Sequence, residues 1–289
     1  MTALTGLVVK GIGGVYFVES AGLIFRARGR GSIKGNDIKL TIGDTVDFTF
    51  PEKEGDDCMI CAVHPRKNIF ERPAVSNIDI MFVTVSVTKP KADLFITDKL
   101  LVMAEKNGAE PVVVINKKDA APEEAQRLLA IYEKIYPAFA VSGKTGEGTE
   151  SLIEAIGTSR AVFAGPSGVG KSTLTNRLSP DAGAETGNVS SKTSRGKNTT
   201  RHVEIFHAGS GYVFDTPGFT SFDLRGVSER ELGDRFPEIR EYSAGCAYSD
   251  CLHDREPDCA VREAAGSGLI AESRFKSYQM CLEEIRRQK

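Results

Sequence analysis

No apolar run in the sequence approaches the roughly 20 residues that a membrane-spanning helix needs. The first ten residues carry neither a charged leader region nor a long apolar core, so no secretory signal is expected. An excess of one charge is missing as well. The 37 Lys and Arg residues are offset by 39 Asp and Glu residues, for a net charge of -2. The molecule is therefore no polycation, and any nucleic-acid surface has to be a local patch. These absences lead to the expectation of a cytoplasmic, reducing setting with no membrane partner. In that setting the six cysteines point to metal ligation or free thiols before disulfides. The 40% hydrophobic and 26% charged content is ordinary for a globular protein, and 289 residues leave room for two or three domains.

The most informative stretch is Gly165-Pro166-Ser167-Gly168-Val169-Gly170-Lys171-Ser172. An apolar run at 161–164 before it reads as a buried strand, and 173–178 after it reads as a helix. Strand, glycine loop and helix together are the setting of a phosphate-binding loop. The glycines let backbone N–H groups turn inward around phosphate oxygens. The helix start, with Thr173 in it, adds its partial positive charge. Lys171 can bridge the outer phosphates, and the Ser172 hydroxyl can reach Mg2+.

Residues 1–70 read as all-β, with short apolar alternations at 4–9, 15–18, 22–26, 45–50 and 59–63 separated by glycine turns. Five short strands in that length suit an oligonucleotide-binding barrel. Arg26, Arg28, Arg30 and Lys34 crowd what reads as a loop, either a phosphate-tracking patch or a solvated hairpin tip. Cys58 and Cys61 form a CxxC within a strand. There, positions i and i+3 face opposite sides, so both read as packing residues. Residues 66–73 read as a linker.

From Asn77 the pattern becomes α/β. Strands are expected at 78–87, 111–115, 138–141, 161–164, 202–207 and 212–214. Helices are expected at 97–107, from Pro122 and at 149–156. The domain boundaries read from the sequence are 1–70 for the barrel, 71–224 for a doubly wound α/β domain and 225–289 for a small helical domain. The last of these has no evident strand and needs a staple.

Asn116-Lys117-Lys118-Asp119 follows a strand directly. The Asp119 carboxylate can accept from the N1–H and exocyclic amine of guanine, a donor pair that adenine lacks. Asn116 can hold neighbouring loops, and the Lys117 stem can cover the base. Ser142-Gly143-Lys144 also follows a strand and can reach the guanine carbonyl. Asp215-Thr216-Pro217-Gly218 closes the last strand. Asp215 can hold Mg2+ through water, and the Gly218 N–H can meet the γ-phosphate. These are the parts of a GTPase. An ATP-using enzyme with the same phosphate loop leaves Asp119 unexplained.

The order is that of a circular permutation, because the base-reading loops precede the phosphate loop. Residues 186–203 form a basic Ser/Thr/Gly-rich stretch that reads as a switch loop or a linker. In it, Thr199 or Thr200 can contact Mg2+ and the γ-phosphate. Past the α/β pattern, Cys246, Cys251, His253 and Cys259 supply three thiols and an imidazole, a set that suits a closed structural Zn2+ site. Cys281 reads as a helix-packing residue.

With its barrel, its 116–142–165–215 motif order and its Cys246/Cys251/His253/Cys259 spacing, the chain resembles the RsgA family (also called YjeQ or YloQ). These are circularly permuted bacterial GTPases that depend on the small ribosomal subunit. The resemblance implies a GTP hydrolase that binds GTP and GDP with Mg2+, held by Ser172 and Thr200; a monomer is expected. It also implies action in late maturation of the 30S subunit, through contacts with 16S rRNA. Lys171, Asn198, Thr199, Thr200 and Gly218 are the residues it suggests for catalysis. The family's switch sequence carries a His where Gly196-Lys197-Asn198-Thr199-Thr200 has Asn198, and His202 is a candidate replacement. Phe219 stands where many GTPases have a water-orienting Gln, and its apolar ring cannot position water. Slow intrinsic hydrolysis follows, and a GTP-regulated RNA-binding switch with little turnover is the competing reading.

Overall fold

The structure, a computed structural model, describes residues 3–29, 39–51, 53, 55–180, 203–216, 219 and 224–288. Among these the strands are β1 (Leu4–Ile12), β2 (Val15–Ser20), β3 (Leu23–Gly29), β4 (Thr45–Thr49), β5 (Cys58–Val63), β6 (Ile69–Glu71), β7 (Ala74–Ser76), β8 (Ile80–Ser86), β9 (Glu110–Asn116), β10 (Ala138–Ala140), β11 (Arg160–Ala164), β12 (Glu204–Ala208) and β13 (Gly211–Asp215). The helices are α1 (Leu94–Asn107), α2 (Pro122–Tyr132), α3 (Thr149–Ile156), α4 (Lys171–Leu178), α5 (Glu229–Leu232), α6 (Pro237–Ser243), α7 (Ala260–Gly266) and α8 (Glu272–Arg287). The chain groups into two compact units. One draws on Met1–Ile80, Thr149–Phe163 and Ser172–Phe219, and the other on Met81–Gly148, Ala164–Lys171 and Thr220–Lys289.

In the first unit, β1 pairs with β2, β2 with β3, β3 with β5, β5 with β4, and β4 back with β1. The circuit closes a five-stranded barrel, which leaves no sheet edge within it. Val8, Val18, Val46, Phe48 and Ile60 fill its interior. Cys58 is buried there too, and the half-buried Cys61 donates its thiol to the Met59 carbonyl at 3.3 Å.

The stretch read as a linker is structured instead. β6 and β7 pair as a small ribbon, and Arg66 makes a two-pronged contact with the fully buried Asp44, at 2.7 and 2.8 Å. A buried carboxylate needs that partner. The basic loop of the sequence reading is likewise a strand in part. Arg26 and Arg28 lie on β3, and both pair with Asp57, at 2.9 and 2.6 Å. Arg30 and Lys34 lie outside the described residues. In the same unit β11 runs parallel to β13, and β12 and β13 form an antiparallel hairpin.

In the second unit β8, β9 and β10 lie side by side, with β9 and β10 parallel. Every residue of β8 is buried, as its almost continuously apolar run implies. Helix α1 starts earlier than its apolar pattern suggests, because the Asp93 side chain caps it by accepting from the Ile96 N–H at 3.1 Å. It stops at Gly108, whose left-handed conformation returns its N–H to the last turn. The C-terminal helices supply nearly all of one buried core, which α1 joins. Leu232, Phe236, Ile239, Val261, Tyr278 and Leu282 pack into one cluster with Val102 of α1. Through that cluster runs Arg274 of α8, fully buried. It donates to Asp98 of α1 at 2.7 Å and to Glu238 of α6 at 2.7 Å, and lies over the Phe236 ring at 4.6 Å.

Candidate nucleotide and metal sites

Strand β11 delivers the chain to the phosphate loop, and α4 begins at Lys171. Lys171, Ser172 and Thr173 thus form the first helical turn, two residues earlier than the apolar pattern implied. Two of the loop glycines have specific reasons. Gly165 has φ +147°, and a Cβ there would lie 2.4 Å from the Thr84 carbonyl oxygen. Gly170 has φ +103°, and a Cβ there would lie 2.3 Å from the Asn116 amide nitrogen. Between them Val169 is buried and anchors the loop, while Pro166, Ser167 and Gly168 stay accessible. The Lys171 ammonium sits within the loop, donating to the carbonyls of Gly165 at 2.7 Å and Pro166 at 2.9 Å. Burial lowers its pKa.

Asn116 joins three motifs that are far apart in sequence. Its amide donates to the Val169 carbonyl at 2.8 Å, and its carbonyl oxygen accepts from the N–H groups of Lys117 at 2.7 Å and Gly143 at 2.9 Å. The side chain is buried, so these bonds saturate much of what a buried amide requires. They also pin the 116–119 loop against the 165–172 loop and the 142–144 loop. Lys117 has a left-handed backbone, with φ +66°. Its ammonium donates to the carbonyls of Gly168, at 2.8 Å, and Lys89.

The turn that follows β8 was absent from the sequence reading of the site, although Thr88-Lys89-Pro90-Lys91 carries a turn signal. Asp119 is exposed at the loop tip, as is Lys144. Lys118 turns away to Glu147 at 2.9 Å, and the Ser142 hydroxyl accepts from the Thr145 N–H at 3.1 Å.

Asp215 ends β13, and burial pushes its carboxyl up. Phe219 is fully buried, edge-on to Phe70 with ring centroids 5.4 Å apart. Asn198, Thr199, Thr200, His202 and Gly218 lie outside the described residues, so their sequence assignments have no geometry here.

The thiols of Cys246, Cys251 and Cys259 and the His253 ring bring one ligand atom each to within 4.8 Å of one another. Cys246 Sγ and Cys259 Sγ lie 3.8 Å apart, and they stand 3.5 and 3.4 Å from His253 Nδ1. Tetrahedral Zn2+ with its usual bond lengths spaces sulfur ligands about 3.8 Å apart and sulfur–nitrogen pairs about 3.5 Å apart. The donor set therefore fits a closed four-ligand ion. The ligand loop has a support that the sequence reading did not anticipate. Glu256 accepts from the N–H groups of Leu252 at 2.9 Å, Asp254 at 2.9 Å and Arg255 at 3.0 Å. Tyr278 closes the loop from below, donating to the Leu252 carbonyl at 2.8 Å. Cys281 packs in the core of α8, fully buried.

Comparison with known proteins agrees with this geometry. The RsgA GTPase family model matches residues 63–225 and the RsgA N-terminal domain model matches residues 5–58. The small ribosomal subunit biogenesis GTPase RsgA of Caldanaerobacter subterraneus subsp. tengcongensis is 40% identical over 290 residues, covering 99% of this chain and 97% of its own. That of Alkaliphilus metalliredigens is 38% identical over 285 residues, covering 98% of both. Among solved structures, YloQ, described as a circularly permuted GTPase, aligns with a TM-score of 0.82 at 31% identity, over 100% of this chain and 96% of its own. YjeQ from Thermotoga maritima aligns with a TM-score of 0.82 at 35% identity, over 98% of this chain and 99% of its own. Barrel, permuted motif order and near full-length identity lead to one conclusion: the chain belongs to the RsgA GTPase family.

Proposed function

We propose that this protein hydrolyses GTP in the biogenesis of the small ribosomal subunit, binding the late 30S particle through 16S rRNA and leaving it when GTP is spent. The observation that carries the reading is the Asn116 side chain, which locks the base-reading loop to the phosphate loop. A phosphate loop needs no such link to grip a triphosphate. A protein that must read guanine while it grips does.

In this reading Asp119 accepts from the guanine N1–H and amine, and the Lys117 stem covers the base. Backbone N–H groups of Gly165 to Ser172 wrap the phosphates. The Lys171 ammonium, with three donors, exchanges its bonds to the Gly165 and Pro166 carbonyls for phosphate oxygens. Ser172 and Thr200 would hold Mg2+, with Asp215 acting through water, and the bound ion would supply positive charge against the phosphate oxygens. Gly218 donates to that phosphate, and Asn198 and Thr199 order the attacking water's surroundings. The Cys246, Cys251, His253 and Cys259 site holds Zn2+ in a structural role, since four protein ligands leave no position for substrate.

Functionally the chain divides at 1–70, 71–224 and 225–289. It acts as a cytoplasmic monomer, with the barrel and the zinc segment meeting RNA.

Phe219 favours a second reading, in which the protein is a GTP-regulated RNA-binding switch with little turnover. Its ring is buried against Phe70 and cannot hold a water. One assay separates the two: phosphate release from GTP with and without purified 30S subunits. The hydrolase reading expects low turnover alone and stimulation of at least about tenfold by subunits. Tight GTP-dependent binding to subunits with no stimulated release supports the switch instead.

A further inference from the structure

Three residues form one row across three strands. β1 of the barrel pairs antiparallel with β12 at Lys10 and Glu204. β12 pairs antiparallel with β13 at Glu204 and Asp215. Residues directly opposed in an antiparallel sheet point to the same face, with Cβ atoms about 4.5–5.5 Å apart. Glu204 therefore stands beside Asp215, and the Lys10 ammonium sits 2.6 Å from the Glu204 carboxylate. Each of these two side chains is only 24% exposed.

The strand carrying Lys10 is shaped for this contact. β1 pairs with β4 from Leu4 to Leu7 and meets β12 at Lys10. The register of β1 against β2 slips between Val8 and Lys10, where the partner changes. A bulge bends its strand and re-aims the side chains beyond it. A second barrel residue reaches the same hairpin. Glu19 of β2 accepts from the His207 ring at 3.0 Å and from the Tyr212 hydroxyl at 3.4 Å. His207 and Tyr212 are themselves cross-strand partners, with ring centroids 4.8 Å apart. The barrel thus grips both strands of the hairpin that ends at Asp215.

We propose that Lys10 is a positioning residue for GTP hydrolysis: through Glu204 it fixes Asp215, so that load on the barrel reaches the magnesium side of the nucleotide site. The proposal rests on the GTPase reading above and on the role given there to Asp215. The Lys10–Glu204 ion pair fastens β12 to β1. The pairing of β12 with β13 opposite Glu204 carries that hold to the end of β13 at Asp215. Engagement of RNA by the barrel would then act on hydrolysis without the RNA touching the nucleotide.

The test is steady-state GTP turnover by the full-length protein with 30S subunits at saturating Mg2+. Lys10→Glu should lower kcat about fivefold, with KM for GTP within about twofold, because the base and phosphate loops are untouched. The charge swap Lys10→Glu with Glu204→Lys should return kcat to the parental value. Lys10→Met, which keeps the apolar stem, gives a smaller kcat loss in the same direction and carries the test if Lys10→Glu fails to fold. A parental protein without GTP turnover would overturn the activity reading itself. With an active parent, parental kcat in both Lys10→Glu and Lys10→Met, or a charge swap no better than Lys10→Glu alone, overturns only the positioning role.

Discussion

At the scale of single residues, the site depends on contacts too close to tolerate even one added carbon. A methyl group at position 170 would lie 2.3 Å from the Asn116 amide, and alanine also resists that backbone conformation. Gly170→Ala should therefore break the Asn116–Val169 bond and weaken GDP binding by about tenfold or more while the protein stays folded. Nucleotide titration alongside circular dichroism reads both. In the proposed base reading, Asp119→Asn would remove the acceptor for two guanine donors, and each charge-assisted bond contributes about 1.5–3 kcal/mol. Preference should pass to xanthine nucleotides, with guanine affinity reduced about a hundredfold; competition between GDP and XDP measures it. Retained guanine preference would remove Asp119 from base reading. Sequence alone named both residues, because strand-then-loop motifs mark them. It also gave Asn116 the task of holding neighbouring loops, but not the partners, since those depend on where Val169 and Gly143 lie in space.

At the scale of elements, the C-terminal helices are held by two devices of different kinds. The first is the four-ligand cluster, whose sulfur and nitrogen spacings match tetrahedral Zn2+. Cys246→Ser should cut bound zinc from about one ion per chain to near zero and make 225–289 sensitive to protease. Metal analysis and limited digestion check it, and full zinc content in the variant would remove Cys246 from the ligand set.

The second device is Arg274, buried between Asp98 and Glu238. Those carboxylates keep its guanidinium charged although burial opposes it. Arg274→Met leaves two acids buried without their cation, a change that costs about 3–5 kcal/mol. The urea midpoint should fall accordingly, and adding Asp98→Asn should recover part of the loss. The Cys246, Cys251, His253 and Cys259 cluster was legible because thiols and an imidazole at short spacing have few other uses than holding a metal. Arg274 was not, because one arginine in a polar helix carries no sign of burial until α1 and α6 are placed around it.

At the scale of the whole molecule, circular permutation decides what each part is attached to. The sequence that follows the Asp215 strand runs into the helices that share a core with α1, the helix just before strand β9. The sequence that precedes the α/β domain is the barrel, whose β1 adds to the β12–β13 hairpin. If the barrel meets the subunit as proposed, the β1–β12 pairing is where that load would reach the hairpin ending at Asp215. Protease protection of 225–289 should differ between GDP and a non-hydrolysable GTP analogue if the nucleotide state also acts on the C-terminal helices. Identical digestion patterns would confine the coupling to the barrel.

The sequence by itself determined the fold class, the nucleotide motifs and the Cys/His cluster. Each is encoded locally: strands and helices by the period of their apolar residues, phosphate and metal sites by residue types at short spacing. It did not determine which distant residues meet. The linker that proved to be a ribbon pinned by Arg66 and Asp44, the bridge at Asn116, the buried Arg274 and the Lys10–Glu204–Asp215 row were all decided by tertiary structure. Their physical reason is shared: a charged or amide side chain taken out of water needs a partner, and only the folded chain fixes which one is within reach.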